Sequence, residues 1–261
     1  MGGKQDLRGS GILGEAASSV PGVPSVKRVV RSSARAYTAL REHLASRRQS
    51  AQAAADIRAL VALSTIPTGY LPWSGSALQP TTAQRLLNNI VVNERRRIVE
   101  LGAGVSTLLI AGLNRSLGLH LHLTSVDQSA EWLEFIGSRA REIDPTLAIQ
   151  CIHAPLRPYG SGPFRINRWY ERDAIAEIAG PIDLLIVDGP TAGERHTAHD
   201  RWPALPELLE QLSDSCAVLM DDTHRRGERR IVRDWRTSNP DFAIRRMVQA
   251  TFLSRGTSWT T

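Results

Sequence analysis

Five stretches of this chain end in residues that can do chemistry. The first is Ile98-Val99-Glu100-Leu101-Gly102-Ala103-Gly104-Val105-Ser106-Thr107. An apolar run closes on a carboxylate, two glycines follow one residue apart, and small hydroxylated residues open a helical pattern. That is a strand, a tight turn and a helix N-terminus, the arrangement that brings backbone N–H groups close to a nucleotide. Further apolar runs end at Asp127, His153, Asp188 and Asp221-Asp222. An unpaired buried carboxylate is costly, so carboxylates repeated at strand ends point to ligand binding more than to packing. Asp127 follows the glycine turn at the distance where a carboxylate accepts hydrogen bonds from the two hydroxyls of a ribose; a helix cap is the plainer alternative. His224 lies beside the Asp221-Asp222 pair, and an imidazole suits a general base. His196 and His199 offer the same chemistry, with solvent exposure as the plainer reading for all three.

Alternating strands and helices must position these residues. The pattern predicts strands at 97–101, 121–127, 148–153, 182–188 and 216–221, and helices at about 105–117, 130–141, 171–179, 203–212 and 226–237. Two last strands near 242–247 and 250–254 form a terminal antiparallel pair. Such alternation predicts a doubly wound, mostly parallel α/β sheet with helices on both faces. In that fold ligands sit beyond the C-terminal ends of the strands. Ahead of it, residues 1–25 read as a disordered tail. Residues 26–80 read as a helical extension, helical to about 63 and ending in a loop rich in Pro and Gly that contains Trp73. Thr81 or Thr82 is expected to cap the next helix. The domain proper spans 81–261. The stretch 155–170 reads as a loop.

Composition narrows the function. The 261 residues are 42% apolar, enough for a real core, and carry a net charge of +6. Lys4 and Lys27 are the only lysines among 32 basic residues, and the arginines are scattered, apart from Arg95–Arg97 and the Arg225–Arg233 region. A nucleic-acid footprint should cluster on one face, so nucleic acid is not expected as a partner. Cys151 and Cys216 lie in predicted strands and give no disulfide framework or thiolate metal site. No apolar run reaches the length of a membrane span, and the N-terminus lacks a signal-peptide core. The chain is expected in the cytoplasm.

The turn itself separates two nucleotide cofactors. A dinucleotide site favours a third glycine, and that position is Thr107. S-adenosylmethionine has no pyrophosphate and tolerates the substitution, and Glu100 would lie near its positive charge. Here the sequence resembles the class I S-adenosylmethionine-dependent methyltransferases: Val-Glu-Leu-Gly-Ala-Gly-Val-Ser-Thr is similar to their first motif and Ser-Val-Asp-Gln-Ser to their ribose-binding segment. The segments around Asp188 and Asp221-Asp222 resemble a bacterial branch near the catechol and caffeoyl-CoA O-methyltransferases. The resemblance covers about residues 80–255 and implies a Rossmann-like seven-stranded methyltransferase fold ending in an antiparallel strand. It implies cofactor contacts from Glu100, Gly102, Ala103, Gly104, Ser106, Thr107, Asp127, Gln128, Trp132 and Asp188. In the metal-dependent relatives two aspartates and an asparagine hold a divalent ion; Asp188, Asp221 and Asp222 match them, with an added negative charge at Asp222. Three converging carboxylates repel one another unless a cation such as Mg²⁺ is bound or one is protonated.

The expected function is therefore methyl transfer from S-adenosylmethionine to an oxygen of a small molecule or sugar, assisted either by a divalent metal or by a His/Asp base. His224, Asp188 and Asp222 are the candidate catalytic residues. A nucleotide-dependent oxidoreductase and a non-catalytic cofactor-binding protein are the competing readings, and a homodimer stays open.

Overall fold

The computed structural model describes residues 26–256 and 259; the predicted tail lies outside them. The chain forms two compact units, residues 1–51 and residues 52–261. In the first, the described residues are helical, within α1 (Val26–Leu63). The second holds everything that positions the candidate site. It begins at Gln52, ahead of the boundary expected at residue 81, because the end of α1 belongs to its packing. Asp56 accepts hydrogen bonds from the backbone N and Oγ1 of Thr81 at 3.1 and 2.9 Å, and Leu63 joins the core. Thr81 therefore does not cap α2 (Pro80–Val92); Gln79 holds the cap position and Pro80 fills the first turn, where its missing N–H is no loss.

From there the alternation unfolds as read. The elements are β1 (Arg97–Leu101), α3 (Val105–Leu117), β2 (His122–Asp127), α4 (Ala130–Ile143) and β3 (Ala148–His153). After a small hairpin come α5 (Arg172–Ala176), β6 (Ile182–Val187), α6 (Ala204–Leu208), β7 (Leu212–Met220), α7 (Arg226–Ser238), β8 (Ala243–Arg246) and β9 (Thr251–Arg255). The hairpin is β4 (Leu156–Pro158) with β5 (Arg168–Tyr170), paired antiparallel inside the stretch expected to be a loop. Strands of three residues carry too little alternation to read, and their pairing spans a dozen residues. The predicted helix 203–212 is shorter than expected, since Leu209–Gln211 tightens into a 3₁₀ turn and β7 starts at Leu212.

The seven strands run in the order β3-β2-β1-β6-β7-β9-β8. The first five are parallel; β9 is antiparallel to β7, and β8 to β9. The chain moves outward from β1 to β3, then returns to the other side of β1 as β6. The switch point thus lies between β1 and β6. β6, Ile-Asp-Leu-Leu-Ile-Val, has helices on both faces, and its last four residues are fully buried. One core layer gathers Leu86, Ile90, Leu108, Leu109 and Ile136 under α2, α3 and α4. The opposite layer gathers Trp169, Tyr170, Leu205, Ile231 and Trp235.

Candidate functional site

The glycine turn is built from beneath. Period-two alternation puts Glu100 on the face of β1 that α3 covers, and the residue is fully buried. Ser106 Oγ and Thr107 Oγ1 donate to its two carboxylate oxygens, and Ser125 Oγ donates from β2 at 3.2 Å. Thr107 Oγ1 also accepts the Gly104 N–H at 3.0 Å. Burial pushes the Glu100 carboxyl up to about 7, against the pull of those three hydroxyls. Glu100 and Thr107 therefore lie under the turn, and of the expected cofactor contacts these two are not among the residues lining the cavity above it. Thr107, in the place of a third glycine, fixes the helix N-terminus to the strand.

Gly102 has φ +99, and a Cβ there would meet the backbone N of Gly189 at 2.8 Å. The two glycines let β1 and β6 close on each other at the switch point, where Asp188 N bonds Leu101 O at 2.9 Å. Gly104 differs: a Cβ there would meet no protein atom within 4 Å. The space it leaves belongs to the cavity, a cradle for a ligand backbone to fill. Asp127, at the end of β2, accepts Ala103 N at 3.1 Å and Ser129 N at 2.8 Å. Burial raises its carboxyl above the usual range, against those backbone donors. Gln128 Nε2 reaches Thr191 Oγ1 at 3.4 Å, while its Oε1 is buried without a partner. Trp132 Nε1 donates to Ala103 O at 2.8 Å, so the indole braces the turn as well as facing the cavity.

These residues share a cavity of ≈ 630 Å³ with Asp188, Arg201, Asp222 and Arg225. Tyr70, Pro72, Trp73, Ser74 and Ser76 line it too, from the loop before α2. An open cradle, an unpartnered amide oxygen and a carboxylate at the end of β2 fit a nucleoside-bearing donor.

The far wall is charged. One carboxylate oxygen from each of Asp188, Asp221 and Asp222 lies within 4.8 Å of the others, so the three residues singled out from the sequence do converge. Sequence reasoning missed their partner. Arg201, its side chain 4% exposed, sends Nη2 to Asp188 Oδ1 at 3.3 Å and Nη1 to Asp222 Oδ2 at 3.2 Å. Its Nε donates to Pro190 O at 3.1 Å. Arg225 Nη1 adds a contact to Asp222 Oδ2 at 2.7 Å. Burial pushes Asp188 well above the carboxylate range, and Arg201 opposes that shift. Burial also works against the Arg201 charge, but Asp188 and Asp222 outweigh it and raise the guanidinium above its ordinary value. Asp221 is pushed up to about 6 by burial and then by Asp222, and its Oδ1 has no partner. Asp222 sits at φ +59, a left-handed conformation held by the contacts around it.

This wall does not fit a divalent cation. Oxygens of Asp188 and Asp222 already face guanidinium nitrogens. At roughly 4 Å and an effective dielectric of about 20, each guanidinium opposes a dication by about 8 kcal/mol. Asp221 Oδ1, which no donor reaches, is buried beside those two engaged carboxylates. The histidines do not line the cavity. His224 is 46% exposed, its Nδ1 lies 3.9 Å from Asp222 Oδ1, and it does not line the cavity. His196 faces Glu194 at 3.4 Å on the surface, and His199 stacks on Phe164 with ring centroids 4.4 Å apart.

A doubly wound sheet with this turn, this β2 carboxylate and a second wall across the switch point is the architecture of a class I methyltransferase. The family model described as a methyltransferase domain matches residues 99–223, from β1 through the acidic pair. The chain therefore carries a methyltransferase domain over those residues. Similar solved structures share its fold at low identity. The methyltransferase PaMTH1 of Podospora anserina, solved with S-adenosylhomocysteine bound, is 12% identical, with a TM-score of 0.54 over 83% of this chain and 97% of that one. A methyltransferase from Geobacter sulfurreducens is 13% identical, with a TM-score of 0.50 over 77% and 89%. A protein from Corynebacterium glutamicum is 15% identical, with a TM-score of 0.50 over 80% and 92%. No curated protein sequence matches the chain. Among the described residues no helix is long and apolar enough to cross a membrane.

Proposed function

We propose that this enzyme methylates a hydroxyl oxygen of a small molecule or sugar, with Asp188 as general base and no divalent cation. One observation carries the reading: the donor turn and Asp188 share a single cavity, joined where Gly102 and Gly189 touch. When bound, S-adenosylmethionine supplies a methyl group on a sulfonium; transfer to oxygen breaks the carbon–sulfur bond and leaves a neutral thioether. The chain does the rest. Ala103, Gly104 and Ser106 offer the turn to the donor, and the Asp127 carboxylate faces its ribose. Asp188 takes the hydroxyl proton as the oxygen attacks, from the ionised form that the Arg201 guanidinium at 3.3 Å favours. Arg201 offsets its charge. Tyr70 and Trp73 at the mouth supply apolar area for a ring. A cavity of ≈ 630 Å³ lies within the range of about 300–1,000 Å³ for small-molecule sites.

Calorimetry with S-adenosylhomocysteine and with NAD tests the donor; binding of NAD alone overturns the reading. Release of S-adenosylhomocysteine across a panel of hydroxylated acceptors then tests the reaction. Asp188→Asn is expected to lose roughly 10²-fold or more in kcat while binding S-adenosylhomocysteine as the parent does. His224→Ala is expected to stay active. The reverse pattern would move the base from Asp188 to His224.

A further inference from the structure

Resting on that metal-free reading, we infer that Arg201 is the resident cation of the acceptor wall, a positioning residue that does with a fixed guanidinium what a bound dication would do. The fork is aimed at two strand ends at once: one terminal nitrogen meets Asp188 after β6 and the other Asp222 after β7. The remaining nitrogen is held by Pro190 O. A planar fork suits two carboxylates on adjacent strands; a single ammonium does not.

The residue is delivered on a rigid mount. Thr197, Asp200 and Arg201 are all buried. The neighbouring Trp202 is tied to α7 twice: its Nε1 donates to Asp234 Oδ2 at 2.7 Å, and its carbonyl accepts Trp235 Nε1 at 2.9 Å. The backbone that delivers Arg201 is thus held to α7 through Trp202. Arg201 and Arg225 face Asp188 and Asp222 and offset their charge, with Asp221 as the third carboxylate of the wall. Asp222 meets both guanidinium groups from a left-handed backbone position, φ +59, just past the end of β7.

The test needs no acceptor. Mn²⁺ is titrated into the full chain and followed by the loss of its free electron-paramagnetic-resonance signal, alongside calorimetry with S-adenosylhomocysteine. The parent is expected to bind no Mn²⁺ up to about 1 mM. Arg201→Met uncovers the carboxylates and is expected to bind Mn²⁺ at least tenfold more tightly than that limit, with S-adenosylhomocysteine affinity within about twofold of the parent. Arg201→Gln keeps hydrogen-bond donors while losing the charge, and is expected to gain Mn²⁺ as well should the Met variant not fold. Stoichiometric Mn²⁺ binding by the parent overturns the inference, and so does a folded variant that gains none. Failure of the parent to bind S-adenosylhomocysteine would instead strike the methyltransfer reading.

Discussion

Replacing Glu100 by Gln isolates the buried acid beneath the glycine turn. Its carboxyl has an ordinary value of 4.5 and is pushed up to about 7 in the folded protein, chiefly by burial. The folded state therefore holds this proton more tightly than the unfolded chain does. Between the two values it binds more protons, so stability from this group is full below about pH 4.5 and is lost as pH rises towards 7. The whole difference amounts to about 3 kcal/mol. Gln keeps the shape, and the hydroxyls of Ser106, Thr107 and Ser125 can turn to accept from its amide. The variant has no proton to lose, so it lacks that slope. Urea unfolding in matched buffers is the assay. From about pH 5 to about pH 8 the variant should gain roughly 2 to 3 kcal/mol on the parent. Parallel pH curves for the two proteins would refute the reasoning, since they would mean that Glu100 is ionised at no extra cost.

Two further outcomes test the turn above it. Gly102→Ala forces a Cβ to 2.8 Å from Gly189 N at a φ of +99, which should cost about 3 kcal/mol and abolish S-adenosylhomocysteine binding; a variant that melts and binds like the parent would show that the switch point is not closed this tightly. Asp127→Asn turns an amide towards one of two backbone N–H groups and should weaken S-adenosylhomocysteine roughly ten- to a hundredfold by calorimetry, while unchanged affinity would remove Asp127 from the donor site.

The donor half was readable because each of its signals is local. β1, its turn and α3 are contiguous, and the apolar runs ending at Asp127 and Asp188 are buried parallel strands whose ends must meet at a switch point. The role of Glu100 was also within reach: it alternates with Val99 and Leu101 and shares a face with Ile98, beneath α3, where an exposed ligand contact was never available. Arg201 was harder. It lies in a turn without periodicity, in a chain whose basic residues are nearly all arginine, so composition hid it. The usable signal was charge: three carboxylates converging on one wall require a counter-charge, and Arg201 falls between the strands that carry them. His224 is next but one to Asp222 in sequence, yet its imidazole is half-exposed, 3.9 Å from Asp222 Oδ1 and outside the lining of the cavity. The β4–β5 hairpin escaped because its pairing is longer in range than its strands are in length.

The placement of β9 has a consequence for how the enzyme is made. β7, whose end bears Asp221 and Asp222, is sandwiched between β6 and β9, and Thr223 Oγ1 is bonded to Thr251 Oγ1 at 2.9 Å. During synthesis the donor half, from β1 to β3, leaves the ribosome as one continuous piece. The strand carrying the acidic pair must wait with one edge open until residues 251–255 arrive. Because a domain folds as a unit, the sheet edge beside Asp221 and Asp222 is covered only once residues 251–255 have been made. The last strand of the sheet to be translated thus completes the flank of the strand that carries the acidic pair.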